Sequence, residues 1–258
     1  MATGEQQQTR NGEYVDAGGV NTYYEVNGAG DPLVLLHGGF CPAETFDGLT
    51  PGLAEAYQVY VPERRGHGRT PDVDGPITYE VMAQDTIAFM DALDVRDAHV
   101  VGYSDGAVVA LHVALERPDL VRKLVLIGQA LNHDDLPAQV RELLTVGMTP
   151  EILPPFLRQL YANVSPDGPE HFDVVFDKLK ATWETEPSFE LSELERVSVP
   201  TLFMLGDSDM VTVEHAAAVQ RAIPDAQLAV VPGSSHGLPM EKPELVSRLV
   251  VDFLAEDH

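Results

Sequence analysis

Hydrophobic and polar positions follow two rhythms along this chain. Thr22-Tyr23-Tyr24-Glu25-Val26 alternates, and with Glu13 to Asp16 across Gly18-Gly19 it predicts an opening two-stranded hairpin. Leu33-Val34-Leu35-Leu36 is an unbroken apolar run, which suits a strand buried on both faces of a parallel sheet. Further strands are read at Gln58 to Val61, Ala98 to Val101, Lys123 to Gly128, Pro200 to Gly206 and Ala226 to Val231. Between them Tyr79 to Leu93 places Val81, Met82, Ile87, Ala88, Met90 and Leu93 at helical spacing with acids on the other face. Ala107 to Glu116 is small and apolar on several sides, as a helix buried on a sheet must be, and Pro118 stops it. Helices are also read at Val213 to Ile223 and Pro243 to Glu256.

Regular alternation of strand and helix implies an α/β fold with a parallel sheet and right-handed crossovers. The alternation breaks between about Ala130 and Val197, where three helical patterns (Leu136 to Val146, Pro150 to Ala162, Pro169 to Thr185) follow without a strand-like run. This divides the chain into a core of residues 1–129 and 198–258 and a helical insert of residues 130–197, set over the carboxyl ends of the strands, where ligands bind in such folds. The insert holds the one tryptophan, Trp183, with Phe156, Tyr161, Phe172 and Phe176, most of which are read as its own core.

Charge narrows the partners. Sixteen Lys and Arg against 41 Asp and Glu give a net charge of −25, which repels phosphate backbones and anionic lipid, so nucleic acid and membrane surfaces are not expected partners. No apolar run approaches the ~20 residues needed to cross a bilayer, and Met1 to Asn11 is polar without the hydrophobic stretch of a signal peptide, so a cytoplasmic location is expected. The single cysteine, Cys41, excludes an internal disulfide and any cysteine-based zinc cluster; it is read as a loop or pocket-wall residue.

Chemistry concentrates at the ends of strands. Gly102-Tyr103-Ser104-Asp105-Gly106 joins a strand to a helix through a turn so tight that a side chain two places either side of Ser104 would clash. The serine hydroxyl is thereby presented at the sheet edge, and the Asp105 amide lies at a helix N-terminus, where negative charge is stabilised. His37-Gly38-Gly39-Phe40 ends the first buried strand with backbone amides open to a ligand: Gly39, or as second choice Phe40, supplies another donor to an oxyanion. His37 is read as bracing that loop. Glu63-Arg64-Arg65-Gly66-His67-Gly68-Arg69-Thr70 lacks the Gly-Lys-Ser/Thr ending of a phosphate loop and is read as structural. An acid within Asp207 to Asp209 and the base His236 fall at two later strand ends. Serine needs a base as it attacks, and an acid fixes the tautomer of the imidazole and stabilises its charged form.

In these motifs, and over essentially the whole chain from Glu13, the sequence resembles the α/β-hydrolase superfamily in its capped form. The resemblance implies a mostly parallel eight-stranded sheet with an antiparallel second strand and a helical cap after the sixth strand. It also implies Ser104 as nucleophile, His236 as base and Asp209 as acid, with Asp207 its rival, and the amides of Gly39 and Asp105 as oxyanion hole. Glu63 and Thr70 stand where Asp and Ser are commoner in the family. The Asp105 side chain is read as a cap of the helix start. Phe40, Tyr103 and Trp183 are candidate pocket-lining residues. No metal and no cofactor are expected, the partner is a small-molecule substrate, and the sequence leaves monomer and homodimer open. The leading function is hydrolysis of a small, largely apolar ester, thioester or lactone through an acyl-enzyme. Alternatives are a carbon–carbon bond hydrolase or aminopeptidase with the same triad (Asp173, Asp177, Glu184 and Glu186 being acids for an ammonium group), or a lyase, cofactor-free oxygenase or ligand receptor on the same fold.

Overall fold

The computed structural model describes residues 12–256; the polar opening Met1 to Asn11 lies outside them. The core begins with β1 (Gly12–Ala17), β2 (Val20–Asn27) and β3 (Asp31–Leu36), then α1 (Thr50–Ala54), β4 (Tyr57–Pro62), α2 (Tyr79–Ala92), β5 (Ala98–Tyr103), α3 (Asp105–Glu116) and β6 (Val121–Ile127). Helices α4 (Ala138–Glu142), α5 (Pro155–Val164), α6 (Phe172–Trp183) and α7 (Leu191–Leu194) follow without a strand between them. The core resumes with β7 (Thr201–Gly206), α8 (Val213–Ala222), β8 (Ala226–Val231), α9 (Leu238–Glu241) and α10 (Pro243–Ala255).

The eight strands form one sheet in the order β1-β2-β4-β3-β5-β6-β7-β8. β2 pairs antiparallel with β1 and β4, and every other pairing is parallel. The strand Leu33-Val34-Leu35-Leu36 explains its own composition: Leu33 and Leu35 enter one apolar cluster with Phe46, Val59 and Phe253, while Val34 and Leu36 enter another with Met82, Val100 and Leu111. All four are fully buried, each worth about 1.5–3 kcal/mol relative to exposure. A polar residue at any of them would face helices on one side or the other.

The segment between β6 and β7 differs in detail from its sequence pattern. The first helix is α4 followed by a single wider turn, Leu143–Gly147, and the second starts at Pro155, where a proline costs no hydrogen bond. The short helices α1, α7 and α9 were invisible to periodicity because four or five residues do not complete two turns. The ends of the segment are clipped together by a bridge between Asn132 and Ser188, with Phe189 N–H donating to Leu131 O at 3.0 Å. Tyr161, Phe172 and Phe176 are buried, but Phe156 is 58 % exposed, contrary to its reading as core, because α5 turns that face to solvent. No described helix is long and apolar enough to cross a membrane.

Parallel pairing of β3, β5, β6, β7 and β8 points their carboxyl ends the same way. The loops after these five neighbouring strands, which carry Gly39, Ser104, Gly128, Asp209 and His236, therefore meet at one edge of the sheet.

Candidate active site

Ser104 is the single residue between β5 and α3, with φ 52° and ψ −124°. A non-glycine residue held there costs about 1–3 kcal/mol and persists only where its surroundings enforce it. Two glycines make the turn possible. A Cβ on Gly102 would stand 2.2 Å from the Gly106 carbonyl oxygen, and one on Gly106 would stand 2.2 Å from the Leu36 carbonyl of β3.

Ser104 Oγ lies 3.0 Å from His236 Nε2, and His236 Nδ1 lies 3.0 Å from Asp209 Oδ1. Since the carboxylate can only accept, Nδ1 carries the proton and the Nε2 lone pair faces the serine hydroxyl. The Asp209 side chain is fully buried, and its Oδ1 also accepts from Val211 N–H at 3.2 Å. Asp207, the rival acid, is exposed and accepts from Ser234 N–H at 3.2 Å, holding the turn before His236 instead. Gly128, at the end of β6, has φ 66°, and a Cβ there would lie 3.1 Å from Asp209 Oδ2 and 3.4 Å from His236 Nδ1. Sequence reading passed over this glycine, whose one signal was its position just after a buried strand.

The loop after β3 runs alongside the serine turn. A Cβ on Gly38 would sit 3.1 Å from Ser104 Cβ; one on Gly39 would sit 2.7 Å from Asp105 Oδ2 and 2.8 Å from Trp183 Cζ2. Among the described residues the amides of Gly39, Phe40 and Asp105 donate no hydrogen bond to the protein. Phe40, at φ 58°, is buried with its ring 5.7 Å from that of Trp183 and 5.9 Å from that of Phe176. Tyr103 lies across the site, its ring 5.4 Å from that of His236. Cys41 is buried, and burial pushes its thiol up to about 11, which keeps it protonated and poorly nucleophilic.

His37 braces the loop. Its Nε2 accepts the Arg64 amide at 3.0 Å, and its Nδ1 donates to Gly38 O at 2.7 Å. Burial, and next the Arg64 charge, hold the ring well below the usual histidine range, so it stays neutral. Glu63 is fully buried and accepts from Ala43 N–H at 2.9 Å, from Arg69 N–H and from the Arg69 guanidinium at 2.8 Å. Its carboxylate thus ties the loop after β3 to the one after β4.

The Asp105 side chain does not cap α3, as had been expected of it. Ser104 holds the cap position, and the Asp105 carboxyl turns away from the helix to accept from Tyr79 Oη at 2.8 Å and Trp183 Nε1 at 3.1 and 3.2 Å. Full burial raises its pKa, opposed first by the charge of Arg64. Neither Tyr79 nor Arg64 was singled out in the sequence, since nothing local to either residue points to Asp105. Of the acids considered for an ammonium group, Glu186 accepts from Tyr79 N–H at 3.1 Å and Asp173 pairs with Arg158, while Asp177 and Glu184 are exposed.

The described residues contain no cluster of His, Cys, Asp and Glu arranged to hold a metal ion. The chain is 26% identical over 266 residues to 2-hydroxymuconate semialdehyde hydrolase of a Pseudomonas species, covering 95% of this chain and 94% of that protein. Its structure matches a meta-cleavage product hydrolase from Pseudomonas fluorescens, complexed with acetates, with a TM-score of 0.81 and 26% identity over 94% of this chain and 97% of the other. It also matches an N-acyl homoserine lactone degrading enzyme with a TM-score of 0.75 and 26% identity, covering 93% of this chain and 100% of that one. The pattern of the alpha/beta hydrolase family matches residues 33–249; with the sheet order and the strand-end geometry above, this chain belongs to that family.

Proposed function

We propose that the chain is a serine hydrolase that cleaves a small, largely apolar ester, thioester or lactone through an acyl-enzyme on Ser104. The observation that carries this reading is the hydrogen-bonded series Ser104, His236, Asp209, with the free amides of Gly39 and Asp105 beside the serine. His236 Nε2 takes the hydroxyl proton as Ser104 Oγ attacks the carbonyl carbon, and the imidazolium is stabilised by Asp209. The carbonyl oxygen, now negative, accepts from the two amides, each such donor being worth about 2.7–4 kcal/mol. The intermediate collapses as His236 returns the proton to the leaving alcohol, thiol or lactone oxygen. Water, deprotonated by the same histidine, then releases the acid and restores the serine.

Phe40, Trp183 and Tyr103 stand close to this site, which supports an apolar acyl group. The helices between β6 and β7 act as a cap that sets the size of that pocket. A second reading, hydrolysis of a carbon–carbon bond in a vinylogous diketone, is supported by the likeness to meta-cleavage product and 2-hydroxymuconate semialdehyde hydrolases.

A panel of p-nitrophenyl esters of increasing acyl length, one acyl lactone and one vinylogous diketone separates the two readings. The expected result is ester or lactone turnover, fluorophosphonate labelling of Ser104, and loss of both in Ser104→Ala with an unchanged circular dichroism spectrum. Turnover of the diketone alone would favour the second reading, and absence of both labelling and turnover in the wild type would remove the hydrolase reading.

A further inference from the structure

Arg64 is 3 % exposed, yet carries a full charge. Its Nη2 donates to the carbonyl oxygens of His37 and Gly38, the second at 3.2 Å, while Nε and Nη1 are buried without a partner. A guanidinium held dry with donors unused is costly, so the contacts that it does make must be judged by where they fall. They fall on the loop that presents Gly39.

The Gly38 carbonyl and the Gly39 N–H belong to one planar peptide. Fixing the direction of the oxygen fixes the amide proton on the opposite side. That oxygen accepts from Arg64 Nη2, from His37 Nδ1 at 2.7 Å and from Cys41 N–H at 3.3 Å. A cation at the oxygen end also draws electron density along the peptide, making the N–H a stronger donor. Charge supplies a second argument. The Asp105 carboxyl lies against Gly39, its Oδ2 2.7 Å from where a Cβ would stand, and alone it would repel an oxyanion forming beside that residue. Arg64 is the charge that most favours ionised Asp105, and Asp105 is the one that most favours charged Arg64.

We propose that Arg64 is a positioning residue of the oxyanion hole: it orients and polarises the Gly38–Gly39 peptide from behind and offsets the carboxylate of Asp105. This inference rests on the serine-hydrolase reading above. Arg64 does not touch the substrate; it acts through a backbone group that does.

The test compares wild type, Arg64→Met and Arg64→Lys, each checked for native circular dichroism and normalised by fluorophosphonate titration of Ser104. With a p-nitrophenyl ester, kcat is expected to fall roughly 10- to 100-fold in Arg64→Met with KM within about threefold. Inhibition by an alkyl boronic acid, whose serine adduct places a negative oxygen in the hole, is expected to weaken by the same factor. Arg64→Lys, which keeps the charge but offers a shorter reach, is expected to lie between. Folded variants with kcat and boronate affinity within twofold of wild type would overturn the inference while leaving the hydrolase reading intact, as would parallel loss of stability with an unchanged kcat per titrated site. If neither variant folds, Arg64 serves the fold and the positioning role fails. A wild type that neither turns over esters nor reacts with the fluorophosphonate would remove the hydrolase reading and this inference with it.

Discussion

The indole N–H of Trp183 donates to both carboxylate oxygens of Asp105, at 3.1 and 3.2 Å. One partner ends α6, the other begins α3 immediately after the serine turn. The helical segment between β6 and β7 is thus fastened to the residue whose amide faces the proposed oxyanion, by a hydrogen bond to a buried charge.

Removing that donor should cost stability. Trp183→Phe keeps an aromatic ring but leaves the Asp105 carboxylate with Tyr79 as its remaining hydrogen-bond donor, and a hydrogen bond to a charged group is worth about 1.5–3 kcal/mol. Losing a donor disfavours the ionised form, so the raised pKa of Asp105 moves further up. The expected outcome is a urea midpoint lowered at neutral pH, by the equivalent of about 1.5–3 kcal/mol, in Trp183→Phe, with Tyr79→Phe acting in the same direction. Midpoints equal to wild type in both variants would show that the two donors contribute nothing to holding the Asp105 carboxylate.

Strain at the serine predicts a stability gain when function is given up. Glycine adopts φ 52° without the clash that Ser104 bears, while losing more chain entropy on folding, about 0.5–1 kcal/mol. Against a strain of about 1–3 kcal/mol, Ser104→Gly should be more stable than wild type by roughly 1 kcal/mol, and Ser104→Ala, which keeps the Cβ, should gain less. Urea midpoints of the three proteins measure this, and equal midpoints would place the strain elsewhere.

Gly128→Ala tests a residue without side-chain chemistry. Its φ of 66° penalises any Cβ by about 1–2 kcal/mol, and the added carbon would press on Asp209 Oδ2 at 3.1 Å. The expected result is a loss of stability of that size with a lower kcat, because the acid of the Ser104–His236–Asp209 series is displaced. A control substitution at Gly75, also at positive φ but with nothing within 4 Å of the added Cβ, should cost stability without altering kcat.

Stability should fall on mild acidification. His37, His67 and His99 are buried and held neutral, first by desolvation, with His67 lowered to about 3 and His99 to about 4. On unfolding they regain a pKa near 6.5 and take up protons. The folded state is therefore stabilised above pH 6.5, and that contribution is lost as the pH drops toward the folded values. Glu63 works in the opposite sense: burial raises it to about 7, so below pH 7 the folded state binds a proton that the unfolded state does not bind until about pH 4.5. His112 and His215 are lowered in the same sense as these three histidines, and Asp105 and Glu186 are raised in the same sense as Glu63, so the histidines outnumber the raised carboxyls and unfolding takes up protons on balance between pH 5 and 6. Urea midpoints at pH 5, 6 and 7.5 check the slope; His67→Phe should flatten it and Glu63→Gln should steepen it.

Much of the architecture was legible because it is written in local pattern. Strands buried on both faces must be apolar throughout, as Leu33 to Leu36 are, and a one-residue turn between strand and helix demands Gly102 and Gly106. Alternating strands and helices force parallel pairing, which brings chain-distant strand ends to one edge. That chain of constraints placed Ser104, His236 and the acids Asp207 and Asp209 together before any coordinates did, and left open which acid meets the histidine. What sequence alone could not decide are the contacts set by packing between elements far apart in the chain: that Asp105 turns to Trp183 and Tyr79 rather than to its own helix, that Arg64 reaches the Gly38 carbonyl, and that Gly128 makes room for Asp209. A buried carboxylate or guanidinium takes the partner that the surrounding fold brings within about 3 Å, and no spacing along the chain encodes that distance.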